Sequence, residues 1–226
     1  MSDAYAGLPR ATIGFLAALA AHNDRDWMAA HRADYDRDWK AAGIALARAL
    51  VIPAADIGLT VVPKIDGSLR RLHRDTRFSA DKRPFHARMH LVLAAGEPVG
   101  KRPAVHLVIG PEGFDYGVGE WAMPPARLAA YRAALCDASA RGALLRHIAA
   151  AEGLGCAFDP PDLARLPRGF TAAGDWEHLL RRRHFVLRTP SPRPMPDDLF
   201  GPAAPDLLAG IAATLAPVAH WLAELE

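Results

Sequence analysis

Between residues 57 and 121 the chain runs through five short β-rich segments, "IGLTVVPKI", "SLRRLHRD", "FHARMHLVLAA", "AVHLVIG" and "FDYGVGEW". Most are parted by turn-formers: Asp-Gly, Gly-Glu-Pro, Gly-Lys-Arg-Pro and Pro-Glu-Gly. A parallel crossover needs about a dozen residues or more, so connections this short admit antiparallel neighbours only. The pattern predicts a meander of four or five strands.

Helical periodicity frames that block on both sides. Thr12 is placed to cap a first helix carrying Phe15, Leu16 and Leu19, and Asn23 or Asp24 to cap a second. In the second, Trp27, His31, Tyr35 and Trp39 follow an i, i+4 ladder, and Ile44, Leu46 and Leu50 extend it to about residue 50. Downstream, Pro124 and Pro125 open a helix with Leu128, Tyr131 and Leu135, and another spans 139–152. Asp175 is placed to cap a short helix before a brief strand, "FVLR". The proline-rich 189–205 reads as an extended strap leading to a last helix over 205–224, in which Pro217 is expected to kink or divide the helix. Helices flanking a contiguous antiparallel sheet define an α+β fold, read as a single domain over 1–226.

Composition narrows the function classes. At 226 residues with 51% hydrophobic and 23% charged residues, the chain fits the globular class rather than the disordered or fibrous ones. Cys136 and Cys156 lack metal-site spacing and any disulfide framework, which suits a reducing cytoplasm. The apolar "IGFLAALAA" continues in helical pattern past any cleavage point, so it is read as a helix and not as a leader. No apolar run is expected to reach the roughly 20 residues of a membrane span, so no membrane partner is predicted.

Formal charge is only +2, but it is unevenly spread. Residues 64–90 hold eight Lys or Arg against three acids. Arginines outnumber lysines 23 to 4 along the whole chain, so position carries more weight than abundance. In "FHARMHLVL" alternation sends His86, Arg88, His90 and Val92 to one face and Ala87, Met89, Leu91 and Leu93 to the other. In "SLRRLHRD" it sends Leu69, Arg71, His73 and Asp75 one way, and Arg70, Leu72 and Arg74 the other. If the strands pair, His106 joins the polar face. Ser79, Asp81 and Pro84 turn the connection into a loop bearing Arg77, Lys82 and Arg83 above that floor.

Guanidinium groups suit carboxylate or phosphate, and Asp75 and Asp81 are placed to orient them. Arg74, Arg77, Lys82, Arg88 and Arg168 are therefore the candidate anion-binding groups. His73 and His86, with Asp75, are the candidates for proton transfer, because imidazole titrates near neutrality. His86 and His90 lie roughly 13 Å apart in an extended strand, too far for one metal ion, so no metal is predicted. No nucleophile elbow, Walker loop or dinucleotide fingerprint occurs, and no cofactor is implied.

"HRDTRFSADKRPF" resembles the core signature of the family catalogued as domain of unknown function 2461, an Arg-Asp-x-Arg-Phe-Ser block followed by Asp-Lys-x-Pro-Tyr/Phe. "HNDRDWMAAHRADY" resembles that family's N-terminal segment, carried by Asn23, Arg25, Trp27, Arg32 and Tyr35. "YGVGEWAMP", "LARLPRGF" and "DWEHLLRRRHF" follow in the family's order, so the resemblance runs over about 13–188. His22 and His31 stand where asparagine is usual, Met28 replaces a phenylalanine, and "PFHAR" replaces Pro-Tyr-Lys-Thr-His. The resemblance implies an α+β fold and no particular activity. It places Arg25, Arg32, Trp121 and Arg168 in one recurring pattern with the charged stretch, so that Arg25, Arg32 and Trp121 join Asp81 as supporting candidates.

Three readings remain open at this level. The first is a basic cleft around 71–90 for a small molecule bearing phosphate or carboxylate, with or without catalysis. The second is nucleic-acid recognition, with Phe78, Phe85 or Trp121 stacking on bases. The third is a structural Arg/Asp network in a protein that acts through a partner.

Overall fold

The computed structural model describes residues 5–171 and 174–225. Strands β1 (Met89–Ala94), β2 (Ala104–Ile109) and β3 (Phe114–Glu120) form the expected meander. Two further strands, β4 (Ala157–Phe158) and β5 (Phe185–Arg188), extend it to a five-stranded antiparallel sheet in the order β1-β2-β3-β5-β4. Met89, Leu91 and Leu93 of β1 face the core, as alternation predicts, with Val105, Leu107 and Ile109 of β2 beside them.

The first two β-rich runs do not become strands. They touch the sheet at single bridged pairs, Thr60 with Ala94 and Leu69 with Leu91. Pro63 has no N–H to donate, and Asp66 adopts φ 58 in a turn at Asp66-Gly67. Leu69 and Leu72 are both buried. Three residues apart, they require the chain to roll over the sheet edge instead of alternating. His86 and Arg88 likewise lie just before β1.

On the core face pack α1 (Arg10–Ala21), α2 (Arg25–Ala30), α4 (Ala42–Ala49) and α9 (Ala204–Ala223). Thr12 is not the cap of α1. It lies inside the helix, buried, and its hydroxyl donates to the Asp38 carbonyl at 2.5 Å. Asp24 does cap α2, its carboxylate accepting from the Trp27 amide at 2.8 Å. The long helix predicted to residue 50 is interrupted by the short α3 (Arg32–Asp34) and a π-helical segment, Tyr35–Ala41. The aromatic ladder survives: His31 stacks on Trp27 at 4.0 Å, Tyr35 on Trp39 at 5.3 Å, and Phe15 of α1 lies 5.9 Å from Trp27. α5 (Val51–Asp56) ends this layer.

On the C-terminal side, α6 (Pro125–Cys136) and α7 (Ala138–Gly153) form as predicted. α8 (Glu177–Leu180) starts from Trp176, without the predicted Asp175 cap. The proline-rich strap is extended only as far as Pro196, where a 3-10 turn, Asp197–Phe200, replaces the expected extended chain; within the extended part Arg193 exchanges two 3.0 Å backbone hydrogen bonds with Phe114 at the start of β3. α9 runs through Pro217 undivided. Contrary to the expectation from sequence, α9 has the length and apolarity of a membrane span. Leu208, Leu215, Val218 and Leu222 of this helix are fully buried in the core, which accounts for its apolarity.

Candidate functional site

The other face of the sheet carries the polar residues. Cross-strand register places Val92, His106, Gly117 and Arg188 in one row, and Ala94, Ala104, Gly119 and Val186 in the next. At positions 117 and 119 glycine is required by close approach. A Cβ on Gly117 would lie 2.5 Å from the Arg188 Cβ, and one on Gly119, at φ +150, would collide with the Phe185 carbonyl. The sheet is therefore bare of side chains there.

His90 and His106 meet on this face, Nε2 of the first 2.9 Å from Nδ1 of the second. Burial pushes His90 down to about 2 and His106 down to about 4, and the charges of Arg70 and Arg88 act in the same direction. A neutral pair can share one proton between these nitrogens, one ring donating and the other accepting. His86 is lowered to about 4, first by burial and then by Arg88 and Arg74. Among the described residues no group of three or more His, Cys, Asp or Glu could hold a metal ion.

Arg88 is the junction of the face. It lines a cavity of about 480 Å³ over β2, β3 and the strap, another of about 300 Å³ with Arg70, His73, Asp75 and His86, and a third of about 470 Å³ with Asn23, Arg74 and Asp81. By surface area it is open to solvent. It nevertheless sits inside a concavity, and loss of surrounding water lowers its pKa, opposed by Asp115. Among the described residues its guanidinium has no ion-pair or hydrogen-bond partner. The Asp115 carboxylate instead accepts from the Thr189 hydroxyl at 3.2 Å.

The charged loop is arranged in the opposite way. Arg74, only 18% exposed in its side chain, donates to Asp81 at 2.6 Å and to the Arg83 carbonyl at 3.2 Å. Arg83 also donates to Asp81, and Arg77 is paired with Asp75 at 2.7 Å. Hydrogen bonds from Arg77 hold Asp75 down to about 2, and those from Arg83 and Arg74 hold Asp81 well below the usual carboxylate range. Lys82 donates to the Thr76 carbonyl at 3.0 Å. The loop is pinned by Phe85, 3% exposed, whose backbone N–H and C=O both bond the Asn23 side-chain amide at 3.0 Å.

The structure thus brings His73, Asp75, His86 and Arg88 around one cavity, and Arg74, Asp81, His86 and Arg88 around its neighbour. Arg25, Arg77, Lys82 and Arg168 are exposed and line none of the three cavities, and Arg32 is exposed and paired with Asp36. Trp121 lines the largest of the three, 73% exposed. Residues 115 and 189–192 carry no site signal in the sequence. The glycines of "GVGEW", whose spacing does not fit a dinucleotide loop, read as a bulge or close packing near Trp121, and the packing of β5 beside β3 supplies the close contacts at Gly117 and Gly119.

Fold and face together define an α+β protein whose main core lies on one side of the sheet and whose other face holds a small buried cluster, Val92, Ala94 and Ala104, beside an imidazole-bearing cavity. Residues 11–221 match the family described as "Conserved hypothetical protein (DUF2461)", and the chain belongs to that family. No curated protein and no solved structure matches it.

Proposed function

We propose that the protein binds a small molecule bearing a phosphate or carboxylate on the open sheet face, with Arg88 as its principal receptor. One observation supports this reading: Arg88 presents a solvent-reachable guanidinium in a concavity, without a carboxylate partner among the described residues. A planar fork of donors left unpaired suits a bidentate oxyanion. Arg70, which also makes no ion pair among the described residues, lies close enough to act on the same histidines. His86, His90 and His106 are neutral near pH 7, so they can donate or accept hydrogen bonds without opposing an anion. His73, His86 and Asp75 border the same concavity as the groups available for proton transfer to a bound ligand.

The test is thermal unfolding of the wild type and Arg88→Gln against phosphate, sulfate, sugar phosphates and dicarboxylates. A ligand at a hundred times its Kd adds roughly 2.7 kcal/mol. Stabilisation of the wild type that is lost in a normally folded Arg88→Gln is the expected result. Equal stabilisation of both proteins would refute the assignment of Arg88.

Phe78 supports a second reading. It is 96% exposed at the tip of the loop that carries Arg77, Lys82 and Arg83, a geometry suited to stacking on a single-stranded base. That reading predicts oligonucleotide binding that depends steeply on salt, is lost in Phe78→Ala and is unmoved by Arg88→Gln.

A further inference from the structure

The smallest of the three cavities that Arg88 lines, about 300 Å³, differs from the other two in its wall: only arginine, histidine and one aspartate line it, and no apolar residue does. The arginines are Arg70, Arg71 and Arg88. An irregular pairing of two chain segments brings them together. Leu69 bridges Leu91 and His73 bridges Phe85, so four residue steps on one side span the same gap as six on the other. The longer side has to bulge, which re-aims the side chains at that point. Arg71 is the middle of the short side and Arg88 the middle of the long one, so the two stand opposite each other. Arg70 is next to them, its amide donating to the His90 carbonyl at 2.9 Å.

Like charges set opposite one another on paired segments are destabilising. Among the described residues none of the three guanidinium groups has an ion pair or a side-chain hydrogen bond to offset this. Asp75, the one acid in the wall, is already engaged. Its carboxylate accepts from the Arg77 guanidinium at 3.0 and 2.7 Å, one bond to each oxygen, and from the Arg77 amide at 3.2 Å. Asp75 and Arg77 therefore cancel, and three cations remain around a space at the small end of the range for ligand sites.

The ligand that answers this arrangement is compact and multiply charged. One phosphoryl group carries about −1.5 to −2 charges near pH 7, short of three, whereas two joined phosphoryl groups match them. A tricarboxylate also matches the charge, but its carbon skeleton finds no apolar residue to lie against. Planar guanidinium forks bind phosphate oxygens two at a time, and three forks exceed what one phosphoryl group needs.

We infer that the ligand presents a diphosphate group, held jointly by Arg70, Arg71 and Arg88. The inference rests on the anion-binding reading and deepens it: Arg88 receives one phosphoryl group, and Arg70 and Arg71 the other. Arg77 acts through Asp75, as a positioning residue, by keeping that carboxylate occupied.

Calorimetric titration with inorganic diphosphate, phosphate and citrate, without divalent cations, tests this. The wild type should bind diphosphate about tenfold or more tighter than phosphate or citrate, the worth of the added charge-assisted hydrogen bonds. Arg71→Gln, at an exposed residue without a side-chain partner, should fold normally and bring diphosphate down to the affinity of phosphate. Arg88→Gln should weaken both. Arg77→Gln should weaken diphosphate as well, because the freed Asp75 carboxylate then opposes the anion. Arg146→Gln, which removes the same charge from an exposed position on α7, should leave diphosphate binding unchanged. Equal affinity for phosphate and diphosphate, or citrate as tight as diphosphate, with binding lost in Arg88→Gln, would overturn the diphosphate assignment and leave the anion reading standing. Equal losses in Arg71→Gln and Arg146→Gln would mean diffuse attraction to a basic surface and overturn the site. Absence of binding by all three probes would overturn the diphosphate assignment and count against the anion reading with it.

Discussion

The 73–85 loop and the open face of the sheet hold the same residue types in opposite states. In the loop, Arg74, Arg77 and Arg83 are each bonded to Asp75 or Asp81. On the sheet face Arg88 has no such partner among the described residues, and the His90–His106 pair is neutral. Charge density along a sequence therefore does not locate a site. What matters is charge left unpaired by the fold, and here the densest stretch largely neutralises itself while its C-terminal end supplies the free guanidinium.

The largest expected effect separates the two phenylalanines of the loop. Phe85→Ala, at a buried anchor, should cost about 3–5 kcal/mol in urea unfolding. Phe78→Ala should change stability by less than about 0.5 kcal/mol, because the ring is in water. Similar costs at both positions would mean that the loop tip is packed as tightly as its base, and the contrast would fail.

Next in size is binding. Arg88→Gln should lower affinity for a phosphate ligand about tenfold or more, the loss of charge-assisted hydrogen bonds, with almost no change in stability. Arg74→Ala should do the reverse, lowering the melting temperature while leaving affinity intact, because its donors already serve Asp81 and the Arg83 carbonyl. Asn23→Ala, which removes both hydrogen bonds to Phe85, should cost roughly 1–3 kcal/mol.

A smaller effect appears in pH. His86 is lowered from 6.5 to about 4, so between those values the unfolded chain binds the proton that the folded chain does not. Stability should therefore fall as pH drops through this window, and His86→Gln should flatten part of the slope, read from melting temperatures at several pH values. A bound anion raises the histidine values, so affinity for sulfate should increase as pH falls from about 7 towards 4. A slope of opposite sign would place the histidines away from the anion.

Much of the fold was legible because its signals were local. Alternation through Met89–Leu93 and Ala104–Ile109 marks two strands outright, and the short turns between them leave one topology. The 57–75 segment was misread because Leu69 and Leu72 are buried for reasons that no period-2 pattern conveys. β4, at two residues, has no pattern to detect. The π-helical segment Tyr35–Ala41 leaves the aromatic ladder in place, so the ladder does not betray it.

The candidate site was legible in part. Alternation groups His86, Arg88 and His90, and pairing of β1 with β2 brings His106 beside His90, although His86 and Arg88 precede β1 and are not held by its ladder. Which arginines the fold would use up could not be read, since pairing depends on where Asp75 and Asp81 come to rest. Asp115, the glycines of β3 and the strap reach the cavity through the packing of β5 and 189–192 beside β3, an arrangement set by contacts far apart in sequence.

The most direct measurement follows the arginine side chains themselves. In a nitrogen-15 spectrum of the arginine Nε–H groups, with Arg88 assigned by its absence in Arg88→Gln, phosphate is titrated into the wild type. The account predicts that the Arg88 resonance shifts in a saturable manner while those of Arg74 and Arg77 stay in place. Movement of Arg74 or Arg77 with Arg88 unchanged would contradict it and move the site to the loop.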